Sequence, residues 1–143
     1  MITQDLCVLS DYLRTGPRHL VALPHVFHLS TPIEARLRDG GTLADVISVL
    51  HPTPAVAGLP RDAAVRGIES IEHFDRGLFA GVAGWMDAEG NGDAAVTIRS
   101  ALLHDGTATV FAGAGIVRDS DPAAEQHETL AKMRLVLEIL TQG

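Results

Sequence analysis

The sequence predicts an α+β fold, an antiparallel sheet covered by helices, and three observations carry that prediction. Short runs of small and apolar residues crowd between residues 77 and 117, separated by the turn signals DAEGNGD and HDG. Amphipathic helical segments precede this cluster, and one long helical segment follows it. Strands and helices are therefore segregated, which argues against an alternating parallel sheet.

From the N-terminus, Ile2, Leu6, Leu9 and Leu13 fall at helical spacing, predicting a helix over 2–14 that Gly16-Pro17 ends. His19 to Val26 is apolar but broken by Pro24, and reads as an edge strand or extended connector. Phe27 to Arg38 holds a further short strand, interrupted by Pro32. Asp39-Gly40-Gly41 is a turn, after which Thr42 caps a helix with Leu43, Val46, Ile47 and Leu50 on one face. That helix stops before Pro52, and HPTPAVAGLP, with its prolines and glycine, reads as a rigid loop.

Asp62 to Phe74 is another amphipathic helix, with Ala64, Val65, Ile68 and Ile71 inward. Gly77 to Met86 reads as a glycine-rich strand, Asp87 to Asp93 as a turn, and Ala94 to Leu103 as a second strand. His104-Asp105-Gly106 turns the chain into a third, Thr107 to Val117, completing a meander. Asp119-Ser120-Asp121-Pro122 then starts a helix running to about Leu140. With no repeat, low-complexity segment or boundary, residues 1–143 are expected to form a single domain.

A net charge of −7 with 11 basic residues argues against nucleic acid or an anionic membrane as partner. The single cysteine, Cys7, leaves no internal disulfide framework; it reads as a small buried hydrophobe and fits a reducing, cytoplasmic setting. No run of about 18 apolar residues exists, and acidic Asp5 stands where a signal peptide carries basic residues. Trp85 and the phenylalanines are expected in the core. His25, His28, His73, His104 and His127 show no metal-ligand spacing, so no zinc site is read. Ten arginines stand against one lysine, Lys132, so any chemistry needing a lysine has one candidate.

Chemistry concentrates between Phe111 and Lys132, FAGAGIVRDSDPAAEQHETLAK. Gly113-Ala114-Gly115 lets the backbone turn with its N–H groups uncovered. Glu125, Glu128 and Lys132, at i, i+3 and i+7, share one helix face. Such a set suits an anionic ligand held through a hard cation; on spacing alone, a solvated face with a Glu–Lys pair is the commoner reason for it. Arg99, on a strand of small and apolar residues, fits a ligand contact or a sheet-edge charge, and His51 fits either a site or an ordinary loop histidine.

Taken together, LHPTPAVAGLPRDAA, IEHFDRGLFAGVAGWMDAEGNGDAAVTIRSALL and FAGAGIVRDSDPAAEQHETLAKM resemble the C-terminal part of the chorismate-utilising enzymes. That family includes isochorismate, salicylate and anthranilate synthases and aminodeoxychorismate synthase. The resemblance runs in order from Leu20 to Leu140, and the His51-Pro52-Thr53-Pro54-Ala55 wording is closest to the isochorismate synthases. It implies that Glu128 ligates Mg²⁺ and that Glu125 is a second acidic residue at the metal. It implies that Lys132 contacts one substrate carboxylate and that Arg99 binds the enolpyruvyl carboxylate. It further places the backbone of Gly113 and Gly115 at a carboxylate, His51 and Ala55 beside the substrate ring, and Phe79 along the site.

Enzymes of this family are much longer, and their sites draw on both halves of one chain. The half not matched here supplies a lysine that activates water, a glutamate that protonates the leaving hydroxyl, and another metal carboxylate. No catalytic residue is therefore assigned in this chain. The implied activity is Mg²⁺-dependent conversion of chorismate to isochorismate, incomplete in this chain alone, for siderophore or menaquinone biosynthesis. The alternatives are a non-catalytic chorismate-binding or dimerising remnant, or one chain of a split enzyme. Met1 falls in the middle of the family domain, which fits a fragment, a truncated gene or a natural short protein. The expected partners are chorismate or a similar dianion, and a second copy or a chain supplying the missing half.

Overall fold

The structure is a computed structural model that describes residues 1–22 and 27–142. In chain order its elements are α1 (Ile2–Leu6), β1 (Ser10–Thr15), β2 (His19–Ala22), β3 (Phe27–Ser30), β4 (Ile33–Leu37), α2 (Leu43–Leu50), α3 (Pro54–Ala57), α4 (Arg61–Ile71), β5 (Val82–Met86), β6 (Gly92–Val96), β7 (Ser100–His104), β8 (Thr107–Phe111) and α5 (Pro122–Thr141). Four two-stranded sheets pair β1 with β4, β2 with β3, β5 with β6 and β7 with β8. The α+β class stands, while the expected three-strand meander is divided between two hairpins. The described residues gather into two compact units, Met1–His51 with Gly84–Asp93, and Pro52–Ala83 with Ala94–Gly143.

In the first unit the expected helix over 2–14 ends at Leu6, and the chain turns into β1. Buried Ser10 donates its hydroxyl to the Leu6 carbonyl at 2.8 Å, and Leu6 itself is buried. Beyond it, Tyr12, Leu13, Arg14 and Thr15 are paired with Arg36, Ala35, Glu34 and Ile33. A ladder with a distant segment thus wins over local helical spacing. Pro32 divides the expected 27–38 strand into β3 and β4, and its carbonyl accepts the Gly16 N–H at 2.8 Å. Of the extended segment expected over His19–Val26, β2 is observed; Leu23, Pro24, His25 and Val26 lie outside the described residues.

Helix α2 forms where its cap predicts. The Thr42 side chain accepts the Asp45 N–H, and the Asp45 carboxylate accepts the Thr42 N–H at 2.9 Å, closing a capping box. The Thr42 hydroxyl, which donates to the Asp45 carboxylate at 2.6 Å, and then the Thr42 N–H hold the Asp45 carboxyl below the usual range. The contribution is therefore present above the ordinary aspartate value and is lost as pH falls through the lowered folded-state value. Replacing Thr42 by Ala is expected to cost about 1 kcal/mol and lower Tm by several degrees in a thermal melt. The Leu43 N–H bonds to the Gly90 carbonyl at 2.9 Å. Gly90 has φ 86°, and a Cβ there would lie 2.6 Å from Thr42 Cγ2, so no larger residue fits.

In the second unit the proline segment is not all loop, since Pro54–Ala57 makes one helical turn. The helix expected over Asp62–Phe74 runs from Arg61 to Ile71. The strand expected from Gly77 begins only at Val82, because Gly77 and Ala80 take φ of 53° and 62° in a turn. The strand expected over Ala94–Leu103 breaks at Thr97-Ile98-Arg99, where Arg99 has φ 50°. The third strand stops at Phe111 rather than Val117. Helix α5 begins as expected, with Ala124 N–H bonded to the Asp121 side chain at 2.8 Å and proline in its first turn.

Among the described residues the buried hydrophobics are Leu6, Ala57 and Val136. Trp85, placed in the core by the sequence, is 64% exposed, Phe27 75% and Phe74 53%, and Cys7 is exposed as well. Those expectations took residue chemistry as a guide to burial, and this chain does not provide the cover. No helix among the described residues is long and apolar enough to cross a membrane.

Candidate functional site

Most of the sequence-nominated residues lie in the second unit, on α5, on the glycine turn that follows β8, and on the break between β6 and β7. The helix supplies Lys132, whose ammonium bridges two elements. It lies 2.6 Å from Glu128 Oε1, one turn back on the same helix. It also donates to the Gly113 carbonyl at 3.0 Å, tying α5 to the turn. An ammonium has three N–H donors, so one is left for a ligand. The Lys132 hydrogen bond and charge, with a smaller contribution from Arg99, hold the Glu128 carboxyl below the usual range. The Arg99 charge thus acts on Glu128 only as the smallest of these contributions.

Arg99 reaches this place through an unusual backbone. Thr97 N–H bonds to the Gly81 carbonyl at 3.0 Å, and Ala80 N–H bonds to the Thr97 carbonyl at 2.8 Å. The Thr97 hydroxyl also donates to the Leu78 carbonyl. Pinned by these bonds, the chain passes Arg99 in the left-handed region that side-chain-bearing residues seldom adopt. The sequence reading of a plain strand missed this feature, because Thr97 and Ile98 are strong β-formers.

Glu125 stands one turn before Glu128, and its Oε1 accepts the Ser120 hydroxyl at 2.6 Å. Ser120 Oγ in turn accepts the Val117 N–H at 3.1 Å, so the helix entry fixes the carboxylate. Both glutamates offer hard oxygen donors, which suit Mg²⁺, an ion that keeps several waters and uses one or two protein carboxylates. No group of three or more His, Cys, Asp and Glu residues gathers as a metal cage among the described residues. The donor chemistry thus fits a partly hydrated hard cation and not a closed structural site.

The glycine turn leaves backbone open. A Cβ at Gly115 would meet nothing within 4 Å, and one at Gly113 would only touch Phe79 Cζ at 3.9 Å. The Phe79 ring stacks on Phe111, with centroids 5.5 Å apart and 19° between planes, and Phe74 lies 6.2 Å from Phe111. Arg76 covers Phe79 with its guanidinium carbon 5.6 Å from the ring centroid. Phe111, Arg76 and Ser120 escaped the sequence reading. The i, i+4 spacing of Glu72 and Arg76 was the available signal for one of them.

His51 belongs to the first unit and Ala55 to the second. His51 closes the first unit, half-buried, and its Nδ1 is shut from solvent with no hydrogen-bond partner among the described residues. Ala55 is exposed on α3 of the second unit.

The family described as chorismate binding enzyme matches residues 1–141. The salicylate biosynthesis isochorismate synthase of Pseudomonas aeruginosa is 50% identical over 122 residues, which are 85% of this chain and 26% of that protein. The isochorismate synthase MenF of Bacillus subtilis is 46% identical over 115 residues, 80% of this chain and 24% of its own length. The solved menaquinone-specific isochorismate synthase MenF of Escherichia coli superposes with a TM-score of 0.90 at 35% identity, covering 98% of this chain and 32% of that one. The chain thus spans between about a quarter and a third of these relatives.

Proposed function

We propose, from the premise that this chain belongs to the chorismate binding enzyme family, that it forms the carboxylate- and magnesium-binding part of an isochorismate synthase. The observation carrying this reading is the Lys132 bridge, 2.6 Å to Glu128 and 3.0 Å to the Gly113 carbonyl, within the field of Arg99. Lys132 there joins a carboxylate of α5 to the backbone of the glycine turn, two segments distant in sequence.

Charge balance gives the reading its content. Glu125, Glu128 and a dicarboxylate together carry four negative charges, while Lys132 and Arg99 supply two positive ones. A divalent cation on the two glutamates makes the assembly neutral. When bound, Mg²⁺ supplies Lewis-acid polarisation and fixes a substrate carboxylate. The chain's own residues do the rest of the binding. Arg99 presents a planar fork to the enolpyruvyl carboxylate, Lys132 offers its remaining N–H to the ring carboxylate, and the open backbone at Gly113 and Gly115 receives carboxylate oxygens.

Conversion of chorismate to isochorismate adds water at one ring carbon and expels hydroxide from another, so it needs both a base and an acid. The sole lysine is the one this reading assigns to the dianion. Missing acid and base groups commonly cost about 10²–10⁴-fold each. The chain alone is expected to bind and not to turn over, with the base and acid drawn from outside these residues.

Titration calorimetry with chorismate, with and without Mg²⁺, tests this. Binding that needs the ion, and that weakens roughly tenfold in Arg99→Lys, is expected, since the fork is lost while the charge is kept. Glu128→Gln should abolish the ion dependence. Equal affinity for wild type and Arg99→Lys would give Arg99 a purely structural part, and no binding in any condition would overturn the reading.

A further inference from the structure

We propose that Arg76, held by Glu72, is a positioning residue that sets the glycine turn of the dianion site through the Phe79–Phe111 ring stack. Arg76 Nε donates to Glu72 Oε2 at 2.6 Å, and Nη2 donates to Glu72 Oε1 at 2.5 Å. This is a two-pronged pair anchored at the end of α4, and both side chains are only 27% exposed. The fork geometry fixes the guanidinium plane as well as its position.

That plane covers Phe79 at 5.6 Å from its centroid, and the Phe79 backbone N–H bonds to the Arg76 carbonyl at 2.8 Å. On its other contacts the Phe79 ring meets Phe111, the last residue of β8, and its Cζ would touch a Cβ on Gly113. Gly113 is also the residue whose carbonyl takes the Lys132 proton. A line of contacts therefore runs from Glu72 through Arg76 and Phe79 to Phe111, which the backbone joins to Gly113 two residues on, and Lys132 holds the turn from the opposite end. The flanking turn reinforces the same ring. Gly77 and Ala80 adopt positive φ, and Ala80 and Leu78 are bonded to Thr97, two residues before Arg99.

Arg76 is held by Glu72 and lies over Phe79, and it has no ligand role of its own, so its effect is on geometry. A planar fork is required for it. Lysine keeps the charge but offers neither two parallel bonds nor a flat face for the ring. The dianion role of the turn rests on the function proposed above, while the coupling from Arg76 to Gly113 stands on contacts alone, and the test separates the two.

Amide and aromatic NMR spectra of the full chain, compared for wild type, Arg76→Lys and Glu72→Gln, give the readout. Both variants are expected to shift the Gly113 amide and the Phe79 and Phe111 ring resonances, with Gly106 at the far end of the same hairpin unmoved. Chorismate affinity in Arg76→Lys should fall roughly tenfold. Glu72→Gln keeps the arginine and serves where the lysine variant folds poorly. Shifts confined to residues 68–79, with Gly113 unchanged in both variants, would overturn the proposal. Absence of any chorismate-induced change in wild type would instead sink the dianion reading, leaving the variant spectra to decide the coupling.

Discussion

Replacing Lys132 by Met is expected to remove chorismate binding almost completely, by about 100-fold or more, whereas Arg99→Lys only weakens it. Three losses coincide. The ligand loses a cation, the Gly113 carbonyl loses its donor, and the Glu128 carboxylate is left facing an incoming dianion. The last effect turns an attraction into a repulsion, which is why the expected loss exceeds that of one charge-assisted bond. Calorimetry on the variant, with circular dichroism to confirm the fold, decides it. An affinity within threefold of wild type would show that Lys132 serves only to dock the helix.

The second large effect is on assembly. The chain has 10611 Å² of accessible surface at 15.2 kDa. A compact monomer of that mass exposes about 7,100 Å², and even two separate bodies of half that mass would expose only about 8,600 Å². The excess is of the size that an extensive permanent interface buries. Much of it is apolar, including Leu78 at 80%, Ile116 at 72% and Ile139 at 69%. We expect the isolated chain to self-associate, so that light scattering at micromolar concentration gives twice the chain mass or more. A polypeptide carrying the remaining part of the family fold should compete with that association. A clean monomer that binds no apolar dye would refute the idea.

What could be read from the sequence depended on how local its cause was. The start of α5 was legible because Asp121 and Pro122 act within one turn, and α2 because Thr42 and Asp45 cap each other. The turn at His104-Asp105-Gly106 was legible for the same reason. The exchange of the expected N-terminal helix for β1 was not, since its ladder partner, Ile33–Leu37, comes only after β2 and β3. Nor was the break at Arg99, which depends on Thr97 bonding to the turn at Leu78–Gly81. In the site, the Glu128–Lys132 pair was legible from its i, i+4 spacing on one helix face. The ring stack under Gly113 was not seen, because nothing local links Phe79 to Phe111.

The single lysine has a practical side. Its ε-amine is the one side-chain primary amine in the sequence. Acylating reagents that react there cancel the charge that pairs with Glu128. A biosensor surface or fluorescent label attached by amine coupling would disturb the Glu128–Lys132–Gly113 contacts. Exposed Cys7, in the other unit, is the better handle for immobilising or labelling this protein.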